Sequence, residues 1–192
     1  MRLVLATRND HKVREVGRLM DGVAVEALPE DITLPPEDGD TFAANALGKA
    51  RAAHAQTGRA AIADDSGIAA AALGGAPGVR SARYAGEEAT DAENLALLLA
   101  EVGKADDRTV AYVCAIAYVD EAGSETLREG RCTGRLADRP RGDGGFGYDP
   151  AFVPDDLRDG RTMAELSPAE KHSISHRGRA ARAIAAAIGE SR

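Results

Sequence analysis

The chain has 192 residues, 44% of them hydrophobic and 29% charged, with a formal net charge of −7. That length fits one domain, spanning residues 1–192, with a real buried core. The negative balance argues against nucleic acid or an anionic membrane surface as partner. A small anionic ligand stays open, because local cations and a bound metal override the global sign. No stretch approaches the roughly 20 apolar residues of a membrane-spanning helix, and Met1 to Ala6 turns polar too soon for a secretory leader. The cytoplasm is therefore the expected address.

In chain order, Leu3 to Ala6 reads as a short buried strand, and Val13, Val16, Leu19 and Met20 follow at helical spacing. Val23 to Leu28 resembles a second strand, followed by an acidic, proline-containing loop through Asp40. Thr41 to Thr57 is helical, with Asp40 or Thr41 as N-cap and Gly58 as the stop. Ala60 to Ala63 is strand-like. Ile68 to Ala71 can open a helix capped by Asp65 or Ser66, and Thr90 to Val102 is a leucine-rich helix. Thr109 to Val119 and Glu125 to Thr133 pair around an Asp120-Glu121-Ala122-Gly123 turn. Cys114 and Cys132 fall in these strand-like runs and read as buried thiols rather than a disulfide. Ser167-Pro168-Ala169-Glu170 is a capping box with proline at the first helical position. The helix it starts carries the stripe Ile174, Ala181, Ile184 and Ile188. Helices and strands alternate early and strands run together later, which points to a mixed sheet flanked by helices.

The basic residues are twenty arginines and only four lysines. Three of the lysines, Lys12, Lys49 and Lys171, sit in polar segments suited to phosphate, where a compact ammonium serves differently from a planar guanidinium. In Thr7-x-Asn9-x-x-Lys12, a strand hands over to a helix that Asn9 can cap, leaving first-turn N–H groups and Lys12 for an anion. Ala63-Asp64-Asp65-Ser66-Gly67 sets two carboxylates after a buried strand. Hard oxygen ligands of that kind suit magnesium, and a carboxylate beside the metal can take a proton from attacking water. The loop Pro35-Pro36-Glu37-Asp38-Gly39-Asp40 can add a ligand. Gly144-Gly145-Phe146-Gly147-Tyr148-Asp149-Pro150 presents rings on a glycine-dense turn, where a ring either stacks on a base or plugs the fold. Ser175-His176-Arg177-Gly178 lies in the last helical stretch, one turn beyond Lys171.

In this order and register, these segments resemble the inosine triphosphate pyrophosphatase family, the XTP/dITP diphosphatases, from Leu3 to about Ile188. The marks include Thr41-Phe42-x-x-Asn45-Ala46-x-x-Lys49-Ala50 and Gly74-Gly75-Ala76-Pro77-Gly78-Val79-x-Ser81-Ala82-Arg83-Tyr84 beside the motifs above. The resemblance implies an α/β fold: a long central mixed β-sheet flanked by helices, in two lobes with the active-site cleft between them. It also implies a homodimer and Mg2+-dependent hydrolysis of non-canonical purine nucleoside triphosphates to monophosphate and pyrophosphate. By the same resemblance, Thr7, Arg8, Asn9 and Lys12 hold the phosphate tail with Lys49. Glu37 and Asp65 bind the metal, Asp65 activates water for attack at the α-phosphorus, and Asp64 supports that geometry. Ser66 touches the nucleotide. Phe146, Gly147, Tyr148 and Asp149, with Lys171, His176 and Arg177, enclose the base, Phe146 stacking on it.

One departure stands out. Many members carry glycine where this chain has Arg8. Were a positive φ required there, arginine would be strained; in ordinary geometry it adds a cation near the tail. Donors around the purine 6-position would accept a 6-oxo base and leave the amine of adenine unsatisfied, at roughly 1–3 kcal/mol per buried mismatch. Two rivals are a Maf-like pyrophosphatase acting on modified pyrimidine or methylated nucleotides, and a non-catalytic nucleotide sensor.

Overall fold

The structure is a computed structural model and describes residues 2–9, 12–13, 16–17 and 23–190. Six strands form one mixed sheet in the order β2-β1-β3-β4-β5-β6. β1 (Arg2–Leu5) lies parallel to both β2 (Ala24–Ala27) and β3 (Ala61–Ala70), with Leu3 opposite Val25 and Val4 opposite Ala61. β4 is Thr109–Val119 and β5 is Glu125–Leu136. A short β6 (Phe152–Pro154), which carries no sequence signal of its own, runs antiparallel to the end of β5.

The chain divides into two compact units, and the divisions fall inside β3, β4 and β5. The first comprises Met1–Asp65, Cys114–Gly130 and His176–Arg192. Its central strands β1, β3 and β4 are buried on both faces, so period-2 alternation sorts their apolar runs into two cores. Leu3, Leu5, Ile62, Cys114, Ile116 and Tyr118 pack with Ala181, Ile184 and Ile188. Their alternates Val4, Ala61, Ala63, Ala115 and Ala117 pack with Ala46, Ala50 and Ala53. Those three alanines belong to α1 (Phe42–Thr57), which starts where the extended Thr41 accepts the Ala44 N–H and stops at left-handed Gly58. Lys12, Val13, Val16 and Gly17 are helical, as the spacing predicts; Leu19 and Met20 lie outside the described residues.

The second unit, Ser66–Val113 and Arg131–Ser175, holds a third core. There Ile68, Val110, Tyr112, Leu136 and Phe152 meet Leu95, Leu98 and Val102 of α2 (Asp91–Val102). A full capping box between Thr90 and Glu93 opens that helix. The expected capping box, Ser167 with Glu170, opens α3 (Pro168–Ile174).

Two expectations are corrected here. The helix expected from Ile68 does not form: β3 runs unbroken from Ala61 through Asp64, Asp65 and Ser66 to Ala70. Burial of its apolar positions among strand partners outweighs the local helix preference of an alanine-rich segment. The last helix is also not continuous. Ser175 is extended at ψ 151°, ending α3, and α4 (His176–Glu190) begins with His176. Cys114 and Cys132 are buried thiols outside any disulfide, as expected.

Candidate active site

β3 carries the central pair. Consecutive strand residues face opposite ways, so Asp64 and Asp65, both buried, meet different partners. Asp64 Oδ2 lies 3.2 Å from Lys12 Nζ and accepts the Arg177 Nε–H at 3.2 Å. Its backbone oxygen accepts from Lys49 Nζ at 2.6 Å. Asp65 Oδ2 instead accepts the amide of Asn45 at 2.9 Å. The two partners on α1, Asn45 and Lys49, are one turn apart and both buried, on the helix face that also carries Ala46, Ala50 and Ala53. Lys49 Nζ also pairs with Glu37 Oε1.

Each cation is delivered by a local device. Thr7, buried after β1, accepts the Asn9 N–H on its hydroxyl at 3.2 Å. Asn9 Oδ1 accepts the Lys12 N–H at 3.2 Å, which is the predicted N-cap. The break at Ser175 makes His176 and Arg177 the first residues of α4, and both are buried. Gly130 of β5 lets that turn come close: a Cβ there would sit 2.1 Å from the His176 carbonyl oxygen and 2.5 Å from the Ala180 nitrogen.

Electrostatics separate the two aspartates. Burial alone would raise Asp64, yet Lys12, Arg177 and Lys49 override it and hold the carboxyl far below the carboxylate range. Its Oδ1 is buried with no hydrogen-bond partner among the described residues. Asp65 goes the other way. Burial pushes it up, the nearby charge of Glu37 adds to that, and Lys49 and the Asn45 hydrogen bond only partly offset the rise. Lys12 sits above its ordinary value although burial lowers it, because Asp64 stands beside it. Burial also pushes the Cys114 thiol up to about 12, leaving it inert.

No group of three or more His, Cys, Asp or Glu side chains suited to a metal occurs among the described residues. A magnesium ion does not need one, since it keeps several waters and takes one or two protein carboxylates together with substrate phosphates. The mutual repulsion of Glu37 and Asp65 is the property a cation would relieve, so this donor set fits magnesium.

A second constellation lies in the second unit. Asp149, buried at the end of the glycine-dense turn, accepts Lys171 Nζ at 2.6 Å and the Phe146 N–H at 3.0 Å on Oδ2. Its Oδ1 accepts the Tyr112 hydroxyl at 3.1 Å. Lys171 Nζ stands 5.1 Å from the centre of the half-buried Phe146 ring. Tyr148 is buried and donates its hydroxyl to the Ser81 carbonyl at 2.7 Å, which makes it a structural anchor of the turn. Gly147 takes a positive φ of 61° and donates its N–H to Asp91.

The chain belongs to the Ham1 family. The sequence model of that family matches residues 3–187. A dITP/XTP pyrophosphatase of Mycolicibacterium paratuberculosis is 49% identical over 195 residues, covering 97% of this chain and 95% of the relative. Among solved structures, a HAM1 protein from Coxiella burnetii matches with a TM-score of 0.88 at 41% identity, covering 99% of each chain. The Staphylococcus aureus Ham1 protein matches with a TM-score of 0.90 at 35% identity over the whole of both chains.

The structure gathers some of the expected site residues into two groups. Lys12, Glu37, Lys49, Asp65 and Arg177 gather around Asp64 in the first unit. Phe146, Asp149 and Lys171 gather in the second. Ser66 is half-buried in β3, directly after Asp65. Arg177, expected at the base, has its Nε engaged by Asp64. Arg8, expected on the phosphate tail, is committed elsewhere. Its Nη2 donates to the carbonyls of Pro29, Glu30 and Ile32 at 2.9, 3.1 and 3.0 Å, and its Nη1 to Leu28 at 3.3 Å. No described residue other than glycine has a positive φ, so Arg8 is unstrained and staples the chain that leads to Glu37. Sequence reasoning quoted Asn45 within a motif without giving it a role, and passed over Tyr112. A polar residue on the alanine face of α1 was the available signal for Asn45; a tyrosine in an apolar strand gives none.

Proposed function

We propose that this Ham1 protein hydrolyses dITP, XTP and ITP to the nucleoside monophosphate and pyrophosphate, with Mg2+. The observation that carries the reading is the buried cluster in which Lys12, Lys49 and Arg177 converge on Asp64 while Asp65 is held apart with a raised proton affinity. The dITP/XTP pyrophosphatases among its relatives supply the substrate class.

In this reading Thr7, Asn9, Lys12 and Lys49 take the triphosphate, and Phe146, Lys171 and His176 take the base, with Ser66 against the nucleotide. Magnesium, held by Glu37 and Asp65, would neutralise charge on the phosphate oxygens. Asp65 accepts the proton of the attacking water, and the Asn45 amide fixes the carboxylate that does so. Lys12 and Lys49 offset the charge that builds on the leaving pyrophosphate. Asp64 holds the cations in position until the anion arrives. Donors facing the purine 6-position select a 6-oxo base. The reading includes a homodimer working in the cytoplasm as one functional domain; no helix among the described residues is long and apolar enough to cross a membrane.

The test is pyrophosphate release with Mg2+ from ITP, dITP and XTP against ATP, GTP, dTTP and UTP. Pyrophosphate plus monophosphate from the 6-oxo purine set is expected, and Asp65→Asn should abolish it while still binding nucleotide. Release of orthophosphate, preference for dTTP or UTP, or a near-normal rate in Asp65→Asn would overturn it.

A further inference from the structure

Asp149 meets three donors, and one comes from outside the nucleotide-binding motifs. Its Oδ2 holds the Lys171 ammonium and the Phe146 backbone together, while Oδ1 is held only by Tyr112 of β4 among the hydrogen bonds described above. With donors on both oxygens, rotation of the carboxylate about its own axis is blocked. The space is closed as well: Gly145 sits at φ 73°, and a Cβ there would lie 2.0 Å from Asp149 Oδ2. Tyr112 is 6% exposed, and its ring stacks on Phe152 of β6 with centroids 4.4 Å apart and planes at 25°. The hydroxyl is thus fixed at the end of a ring that the sheet itself immobilises.

We propose that Tyr112 is a positioning residue for nucleobase recognition, acting through Asp149 to fix the Phe146 ring and the Lys171 ammonium. The proposal rests on the function proposed above. It makes the base-recognition turn inherit its rigidity from a central strand rather than from the turn, whose glycines supply little. Without the hydroxyl, Asp149 can turn, and the ring and the ammonium lose their common reference. Tyr112 acts through Asp149 at the base end, so the chemical step is not its concern.

The experiment compares wild type and Tyr112→Phe in steady-state pyrophosphate release, together with calorimetric binding of inosine monophosphate. Tyr112→Phe should raise KM for ITP about tenfold, weaken inosine monophosphate to a similar extent and narrow the preference for ITP over ATP. Its kcat should stay within about twofold. In an Asp149→Asn background the same substitution should have little further effect, because the partner it acts through is already altered. If Tyr112→Phe is recovered unfolded, Tyr112→Met, which fills the space without a donor, takes its place. Unchanged KM and base preference, a loss confined to kcat, or additivity with Asp149→Asn would each overturn the positioning role while leaving the proposed function standing. A wild type that neither hydrolyses ITP nor binds inosine monophosphate would overturn both.

Discussion

Replacing Asp64 by asparagine removes one charge from a buried carboxylate faced by Lys12, Arg177 and Lys49 while keeping its shape. The Asp64 side chain is 1% exposed, Arg177 4% and Lys12 14%, and each cation lies 3.2 Å from Oδ2. Breaking a buried ion pair by removing one partner costs about 3–5 kcal/mol. An amide oxygen still accepts one hydrogen bond, so the lower end, about 3 kcal/mol, is expected. For a chain of this size that corresponds to a fall in Tm of roughly 6–12 °C. The pH dependence has a definite sign. The folded-state affinity of Asp64 for a proton is depressed, so its contribution is complete above the unfolded value of about 3.9 and disappears as pH falls from there towards the folded value. The gap between wild type and variant in urea unfolding should therefore be constant between pH 5 and 7, on the order of 3 kcal/mol, and shrink below pH 4. A variant within about 0.5 kcal/mol of wild type at pH 7, or a gap that widens in acid, would refute the assignment of Asp64 as the counter-ion that holds Lys12 and Arg177.

Three further outcomes are expected. Lys12→Arg should lower kcat/KM at least about tenfold despite equal charge, because a broad planar guanidinium replaces a compact ammonium in the largely buried position beside Asp64; equal rates in pyrophosphate release would sink the argument for a compact ammonium. Phe146→Ala should raise KM for ITP roughly 5- to 150-fold, the equivalent of about 1–3 kcal/mol of stacking, with little change in Tm because the ring is only half-buried. Unfolding in place of weaker binding would make Phe146 a hydrophobic plug. Arg8→Gly should lower Tm by roughly 2–4 °C with KM unchanged, since the side chain staples four backbone carbonyls; a large KM effect at unchanged Tm would return Arg8 to the phosphate tail.

Local signals with a fixed chemical grammar were legible in the sequence. The Ser167 capping box, the Asn9 cap and the left-handed Gly58 stop all stand where their residue types require. What misled was the stretch after Asp65, where alanine-rich sequence favours helix locally and burial between strands decides otherwise. The break at Ser175 escaped for a similar reason: the apolar spacing continues through it in sequence, whereas Ile174 packs on one core and Ala181, Ile184 and Ile188 on another. In the site, charges close in sequence to a motif were legible and their partners were not. Nothing in the order of residues says that Arg8 will be spent on carbonyls, or that a tyrosine in the middle of an apolar strand will steady an aspartate in a distant turn.

The three lysines singled out by scarcity share a physical situation that composition alone does not reveal. Lys12, Lys49 and Lys171 have side chains only 14%, 6% and 11% exposed, and each ammonium is paired with a carboxylate: Asp64, Glu37 and Asp149. Lys104, the fourth, is exposed. A buried cation must be compensated in the empty protein, yet a cation in the proposed nucleotide-binding role must also be able to turn towards an arriving phosphate or base. An ammonium has three equivalent donors on a flexible stem and can hold its carboxylate with one while offering the others. A guanidinium locked in a planar fork gives up its geometry to do the same. Where the chain needs a fixed crosslink it uses arginine, as Arg8 on four carbonyls and the bidentate Arg51–Glu125 pair illustrate. The division of labour between the two cations thus follows from whether the position must be held or must yield.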